Sequence, residues 1–274
     1  GQKKKLEESL WVTHAQQISP STGINIDYKS RGMRGQYTNQ ASRDKNLSLA
    51  FSHTGKKYSI HAGYIYNMAS LKDNGGILRD QDVTDTVFDL PELLDVWLKD
   101  AKNEYKNNTF YLTQSYGIPL RQLNDSVFSI ADRSSIFIGH SFLYSRYWRR
   151  YTDTRNGMST GDDGESFYEH WYINPTSTRD STFESLLSNK VFVQIQPWNR
   201  NGVVGLINAG IGFDVHHYYQ FGMQEYLYKN KGHNENSTYV YGSVEGKGRK
   251  DFSWYADVQY HPFGYRSQDL SIGG

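Results

Sequence analysis

The stretch Asn46-Leu47-Ser48-Leu49-Ala50-Phe51-Ser52-His53-Thr54-Gly55-Lys56-Lys57-Tyr58-Ser59-Ile60-His61-Ala62-Gly63-Tyr64-Ile65 decides the fold. Leu47, Leu49, Phe51 and His53 alternate with Asn46, Ser48, Ala50 and Ser52. Beyond Gly55-Lys56, Tyr58, Ile60, Ala62 and Tyr64 alternate with Ser59, His61, Gly63 and Ile65. A period of two is the signature of a strand with two different faces. A two-residue turn at Gly55-Lys56, with Gly first as type II′ prefers, pairs Thr54 with Lys57. It sets Phe51 opposite Ile60, Leu49 opposite Ala62 and Leu47 opposite Tyr64. One face of this hairpin is then apolar on both strands, and the other is small and polar.

The same pattern recurs outward from it. Val191, Val193 and Ile195 alternate with Gln194 and Gln196, turn near Asn199-Arg200-Asn201-Gly202, and return as Ile207, Ala209, Ile211 and Phe213. A third hairpin runs from Thr238 to Tyr260 through Lys247-Gly248-Arg249. Weaker strands are expected at Leu10–Ile18, Gly23–Gly32, Thr109–Ile118 and Ser135–Tyr147. The total is about ten strands of roughly 9–13 residues, long for a soluble sheet and suited to a tilted membrane crossing. Counted from the first, the odd-numbered connections are the shorter of each neighbouring pair. An up-and-down barrel with tight turns at one rim and long loops at the other has that rhythm.

Composition agrees. The 274 residues carry 30 Lys+Arg against 29 Asp+Glu, a net charge of +1, so no bulk attraction to nucleic acid is indicated. With no cysteine, disulfide frameworks and thiolate metal sites are excluded. Mean hydropathy is −0.73, and no apolar run is long enough for a membrane helix, a test that β-strands escape because only alternate residues face lipid. Tyrosine is abundant at 22 residues, as suits side chains standing at an apolar–aqueous boundary. Tyr58 and Trp198 flank short turns, while Tyr64, Tyr66, Tyr144, Tyr147, Trp148 and Tyr218 sit where strands run into long loops, so these eight are expected to form aromatic girdles. One short helix is expected inside a long loop. Asp89 would cap it, Pro91 and Glu92 would lie in its first turn, and Leu94, Trp97, Leu98 and Ala101 would form its apolar stripe up to about Lys106.

Catalytic and metal patterns are missing. His53 and His61 fall on opposite faces of their hairpin, His216 and His217 likewise, and His140 and His170 stand alone. Asp162-Asp163-Gly164-Glu165 does not have the spacing of a calcium loop. There is no nucleophile elbow, P-loop or dinucleotide fingerprint. The expectation is therefore no enzyme, no cofactor and no metal. The polar members of the alternation, Asp27, Lys29, Ser48, Ser59, His61, Thr113, Gln194, Gln196, Asp257 and Gln259, are expected to line a wet interior.

Several phrases resemble the "putative porin" family of Bacteroidetes-type outer membranes. They include Ala41-Ser42-Arg43-Asp44-Lys45-Asn46-Leu47-Ser48, Gln114-Ser115-Tyr116-Gly117-Ile118-Pro119-Leu120, Tyr172-Ile173-Asn174-Pro175-Thr176 and Gln196-Pro197-Trp198-Asn199-Arg200. The resemblance spans the chain. It implies an outer-membrane β-barrel, residues 1–274 forming a single domain within a longer barrel, in contact with outer-membrane lipid and passing small hydrophilic solutes by diffusion or uptake. The family supplies no catalytic residues. Two rivals share parts of the pattern: a non-conducting barrel acting as a structural or docking protein, and a soluble glycan-binding β-sandwich. In the sandwich, Leu47, Leu49, Phe51 and Ile60 would pack under a second sheet.

Overall fold

Alternation along each segment becomes one continuous antiparallel ladder. The computed structural model describes residues 7–79, 90–119, 135–154, 167–168, 174, 176–196, 203–220, 232–248 and 252–274. Its strands are β1 (Glu7–Ser19), β2 (Thr22–Arg34), β3 (Ala41–Thr54), β4 (Tyr58–Asp73), β5 (Ala101–Pro119), β6 (Ser135–Asp153), β7 (Thr178–Gln196), β8 (Leu206–Gln220), β9 (His233–Lys247), β10 (Ser253–Gly264) and β11 (Leu270–Gly273). They form an 11-stranded sheet whose spatial order is the sequence order. Among the described residues no second sheet covers it and no ladder joins β11 back to β1. The stacked layers that a soluble sandwich needs are therefore not formed.

Burial shows which solvent each face meets. Ile138, Val191 and Ile211 stand 50%, 57% and 59% exposed in the middle of their strands, whereas buried strand residues such as Ser188, Ser237 and His261 are polar. Apart from Gly246 near the turn rim, every buried strand residue lies on the face that carries Ser59 and Gln194. Side chains converge and crowd on the concave side of a curled sheet and spread apart on its convex side. Here the convex side is the apolar one, the inverse of a water-soluble core. Its apolar segments on β5 to β8, Phe110–Ile118, Ile136–Tyr144, Leu187–Ile195 and Ile207–Val215, are each nine residues long and match the length of a tilted membrane-spanning strand.

Three sequence expectations change in detail. The first hairpin pairs Phe51 with Ala62, Leu49 with Tyr64 and Leu47 with Tyr66, two residues from the expected register. Gly55 N–H donates to the Tyr58 carbonyl at 2.8 Å, which places Lys56-Lys57 at the turn. A Cβ at Gly55 would lie 3.1 Å from that carbonyl oxygen, a tight contact that the glycine avoids. A shift of two leaves every side chain on its expected face. In the β4–β5 connection the helix shrinks to a single 3-10 turn, Pro91–Leu93, and Asp89 lies outside the described residues. The chain after Leu93 is extended. Leu94, Val96 and Leu98 alternate with Asp95, Trp97 and Lys99, and are 8%, 0% and 2% exposed, so period two prevailed over the helical stripe. Thirdly, β1, β2 and β10 have 12 or 13 residues as expected, whereas β3 to β9 run from 14 to 19, longer than expected, and the short β11 was not foreseen.

The connections at one rim, 20–21, 55–57, 120–134, 197–205 and 248–252, are mostly shorter than those at the other, 35–40, 74–100, 154–177, 221–232 and 265–269. The long-loop rim carries a small core of its own. Ile77 bridges Val96, and Leu98 N–H donates to the Asn74 carbonyl at 2.8 Å. The Trp97 ring lies 6.5 Å from that of Phe167. Burial pushes the Tyr168 phenol well above its ordinary pKa, and its hydroxyl donates to Asp153 Oδ2 at 3.0 Å. Asn39, held in the left-handed region at φ 52°, closes the assembly. Its Nδ2 donates to the carbonyls of Asp73, Leu98 and Ala101 at 2.8, 3.1 and 3.1 Å.

Asn39→Gly keeps the backbone conformation and removes those three contacts. A loss of about 1–3 kcal/mol is expected, confined to this rim. Limited proteolysis should then cut within 74–98 faster while the far-ultraviolet β signal stays unchanged. On the apolar face, Ile211→Arg should lower unfolding stability in lipid vesicles by roughly 2–4 kcal/mol. Thr113→Arg on the opposite face should cost far less in the same denaturant titration.

Candidate pore-lining face

Pairing parity fixes what stands beside what on the crowded face. One row across the sheet reads Asp27, Ser48, Ile65, Thr109 and Ser145 from β2 to β6, and the next reads Lys29, Asn46, Asn67, Asn107 and Tyr147. Nearer the short-turn rim, His61, Thr113, Ser141, Lys190, Gly212 and Tyr239 share a row. Ser59 shares a row with Ser115, Tyr241 and Gln259, and Gln194 shares one with Asn208, Ser243 and Asp257. With Gln196 one row further, all ten polar residues singled out in the sequence fall on one face. Register brings Ser59 to 2.8 Å from Ser115 Oγ and Thr113 to 3.1 Å from Ser141 Oγ. Asp27 accepts from Trp11 Nε1 at 2.9 Å and Thr13 at 2.7 Å, with Lys29 Nζ 3.4 Å away.

The expected girdle residues divide. Tyr58, Tyr64, Tyr66, Tyr144 and Trp148 lie on the apolar face, and Trp198 lies outside the described residues. Tyr147 and Tyr218 belong to the polar face, a correction forced by parity. Ile211, Phe213 and Val215 point to the apolar side, so Tyr219 takes the girdle-side position and Tyr218 donates to Glu235 Oε1 at 3.0 Å. His53 and His61 stand on opposite faces, His53 facing Thr22 Oγ1 at 2.8 Å. His170 and the 162–165 turn lie outside the described residues.

A cluster on β7 to β10 escaped the sequence reading. Lys190 Nζ lies 5.7 Å from the Tyr239 ring centre and 5.9 Å from that of Tyr241. Tyr239 in turn packs 5.1 Å from the His261 ring. His261 Nδ1 sits 2.6 Å from Ser237 Oγ, and its Nε2 is 2.9 Å from Gln259 Nε2. Glycines make this possible. Tyr239 and Tyr241 lie across Gly212 and Gly210 of the neighbouring strand, as Tyr111 covers Gly63 and Phe192 covers Gly139. A ring that fills the space over a glycine restores contact the missing side chain would have made. The sequence signal was present as isolated glycines inside strands, but their partners depend on register.

These features match known proteins in kind. The family described as "Putative porin" matches residues 1–274. The chain belongs to that family. No curated protein sequence matches it. The ferric-catecholate import receptor Fiu from E. coli K12, in its open form, is structurally similar with a TM-score of 0.55 and 10% identity. The match covers 92% of this chain and 42% of the receptor chain, so the likeness is one of fold. The porin-family chain thus has the strand architecture of an outer-membrane β-barrel.

The glycine–ring pairs make a graded prediction. At Gly210 a Cβ would come 2.5 Å from the Val191 carbonyl oxygen, which is fixed in the ladder, whereas at Gly63 only the movable end of Tyr111 stands in the way. Gly210→Ala should therefore lower stability by about 1–3 kcal/mol and Gly63→Ala by less, as urea unfolding midpoints would show.

Proposed function

We propose that this chain lines a water-filled passage through the outer membrane for small hydrophilic solutes, by passive diffusion or uptake and without catalysis. The observation that supports it is the recurrence of hydroxyl, amide and charged side chains on one face of the sheet in row after row from β2 to β10, with apolar residues such as Ile65, Leu143 and Phe192 interspersed among them. A dry ligand cup would be apolar on that side. In this reading Asp27, Lys29, Ser48, Ser59, His61, Thr113, Gln194, Gln196, Asp257 and Gln259 face the lumen. Tyr58, Tyr64, Tyr66, Tyr144 and Trp148 stand at the lipid boundary. The long-loop rim is extracellular, as in other outer-membrane barrels.

Reconstitution of the full-length protein in planar bilayers should give stepwise ion conductance. A folded but silent barrel would favour the structural or docking reading instead. Lys190→Gln removes a lumen cation, and should raise the cation-to-anion permeability ratio by about two- to fivefold, the scale of a charge interaction of roughly 0.5–1 kcal/mol in a wet passage. Reversal potentials under a salt gradient measure it.

A further inference from the structure

On the lipid-facing side the charges are arranged in a pattern that channel function does not require. Counting toward the long-loop rim, the row Tyr28, Leu47, Tyr66, Asn108 and Arg146 closes the apolar band on β2 to β6. Between that row and the short-turn rim, no Asp, Glu, Lys or Arg stands on this face of any described strand. Immediately beyond it the character changes. The next row carries Lys45 and Lys106, and the one after it Arg43 and Arg150. The last adds Arg34, Lys72, Lys102 and Arg179. Across β2 to β7, Glu104 is the sole acid in these four rows, and it is held 2.8 Å from Lys102. The chain as a whole is nearly neutral at +1, so the excess of cations here is a matter of placement.

The heads are also supported. The Arg150 guanidinium lies 4.3 Å from the Trp148 ring centre, and Lys106 Nζ is 5.2 Å from the same ring. The Arg146 guanidinium sits 4.8 Å over Phe183. Arg150 Nε is buried with no hydrogen-bond partner among the described residues. Heads resting on aromatic rings beside the end of an apolar band are a usual way for long cations to sit at a membrane boundary. Lys45 and Arg146 stand two residues past Leu47 and Tyr144, and Lys106 four past Phe110. At the rise of a tilted strand that is roughly 5–10 Å above the hydrocarbon, the depth of lipid headgroups. Higher still, Arg34, Arg43, Lys72 and Lys102 line an open cleft of about 780 Å³ against the 35–40 connection, together with two acids, Glu92 and Glu8, the latter extending the Arg43 row onto β1.

We infer that this belt holds the phosphate-bearing headgroups of the lipid in the leaflet on the long-loop side. A ring of fixed cations at headgroup depth complements phosphate esters, and charge-assisted contacts to phosphate are among the stronger hydrogen bonds a surface can make. The assignment goes beyond solute passage and depends only on the outward face. Conductance can therefore fail while the lipid result stands, and the reverse.

The test uses the full-length protein in neutral detergent, incubated with lipid A or with the same lipid stripped of its phosphates. Lipid retained through gel filtration is then measured. The intact protein should retain the phosphorylated form at least about fivefold more than the stripped form, on the scale of one charge-assisted contact of about 1 kcal/mol or more. K45Q/K106Q/R146Q should abolish that preference, whereas K190Q on the opposite face should keep it. Heat-modifiable gel mobility confirms that each variant is folded. Equal retention of the two lipids by the intact protein overturns the proposal, and that comparison needs no variant. So does a preference that survives the triple substitution, or displacement of the lipid by inorganic phosphate at the same phosphorus concentration, which would mark a small-anion site.

Discussion

Backbone pairing in a solvent without hydrogen bonds is the constraint on which the rest of this structure depends. Hydrocarbon offers no partner to an N–H or C=O, so every strand crossing it must be saturated by its neighbours. Nearest-neighbour antiparallel order, β1 to β11 without a crossover, meets that need for strands β2 to β9, each paired on both sides along most of its length, with short turns at one rim. The ladder then dictates side-chain placement, because alternate residues must go to opposite solvents. The resulting protein is inverted relative to a soluble one. Ile211 and Val191 stand exposed on the convex face while Ser188 and Ser237 are buried on the concave one.

Close backbone pairing also explains where glycine is used. Strands carrying large rings on the concave side need room, and Gly63, Gly139, Gly210 and Gly212 provide it beside Tyr111, Phe192, Tyr241 and Tyr239. Without glycine at position 212, Lys190 and Tyr239, which flank it on the same row, would be separated by a side chain. The wet face is thus not uniformly polar. It carries a patch where a cation, two phenols and an imidazole meet, so aromatic planes stand beside the hydroxyls there.

Strand length separates the membrane from what stands above it. Nine-residue apolar segments suffice for the bilayer, yet β5, β6 and β7 run to 19 residues each. The surplus lies toward the long loops, where the outer face turns basic and the β4–β5 connection packs Leu94, Val96 and Leu98 into a small dry core. That core needs no lipid, since Asn39 and the strand-like pairing of 74–78 with 95–98 satisfy its backbone. The rim therefore behaves as ordinary soluble structure built on a membrane base.

The sequence by itself determined the class of fold, the face of nearly every residue and the positions of the main hairpins. Side-chain period is a local property, and it survives even an error of two in register, as at Phe51 and Ala62. It also fixed the ten polar residues on one face. What only the tertiary structure decided was who meets whom. The placement of Lys190 by Tyr239, the stacking of Arg150 on Trp148 and the docking of Asn39 under Leu98 all depend on offsets between strands. Tyr218 was misplaced for the same reason in miniature, since a position near a strand end says nothing of parity until the strand is followed through Val215. At Leu94 to Leu98 a helical stripe and an alternating one coexist in the letters, and burial against neighbouring loops, a non-local term, chose between them.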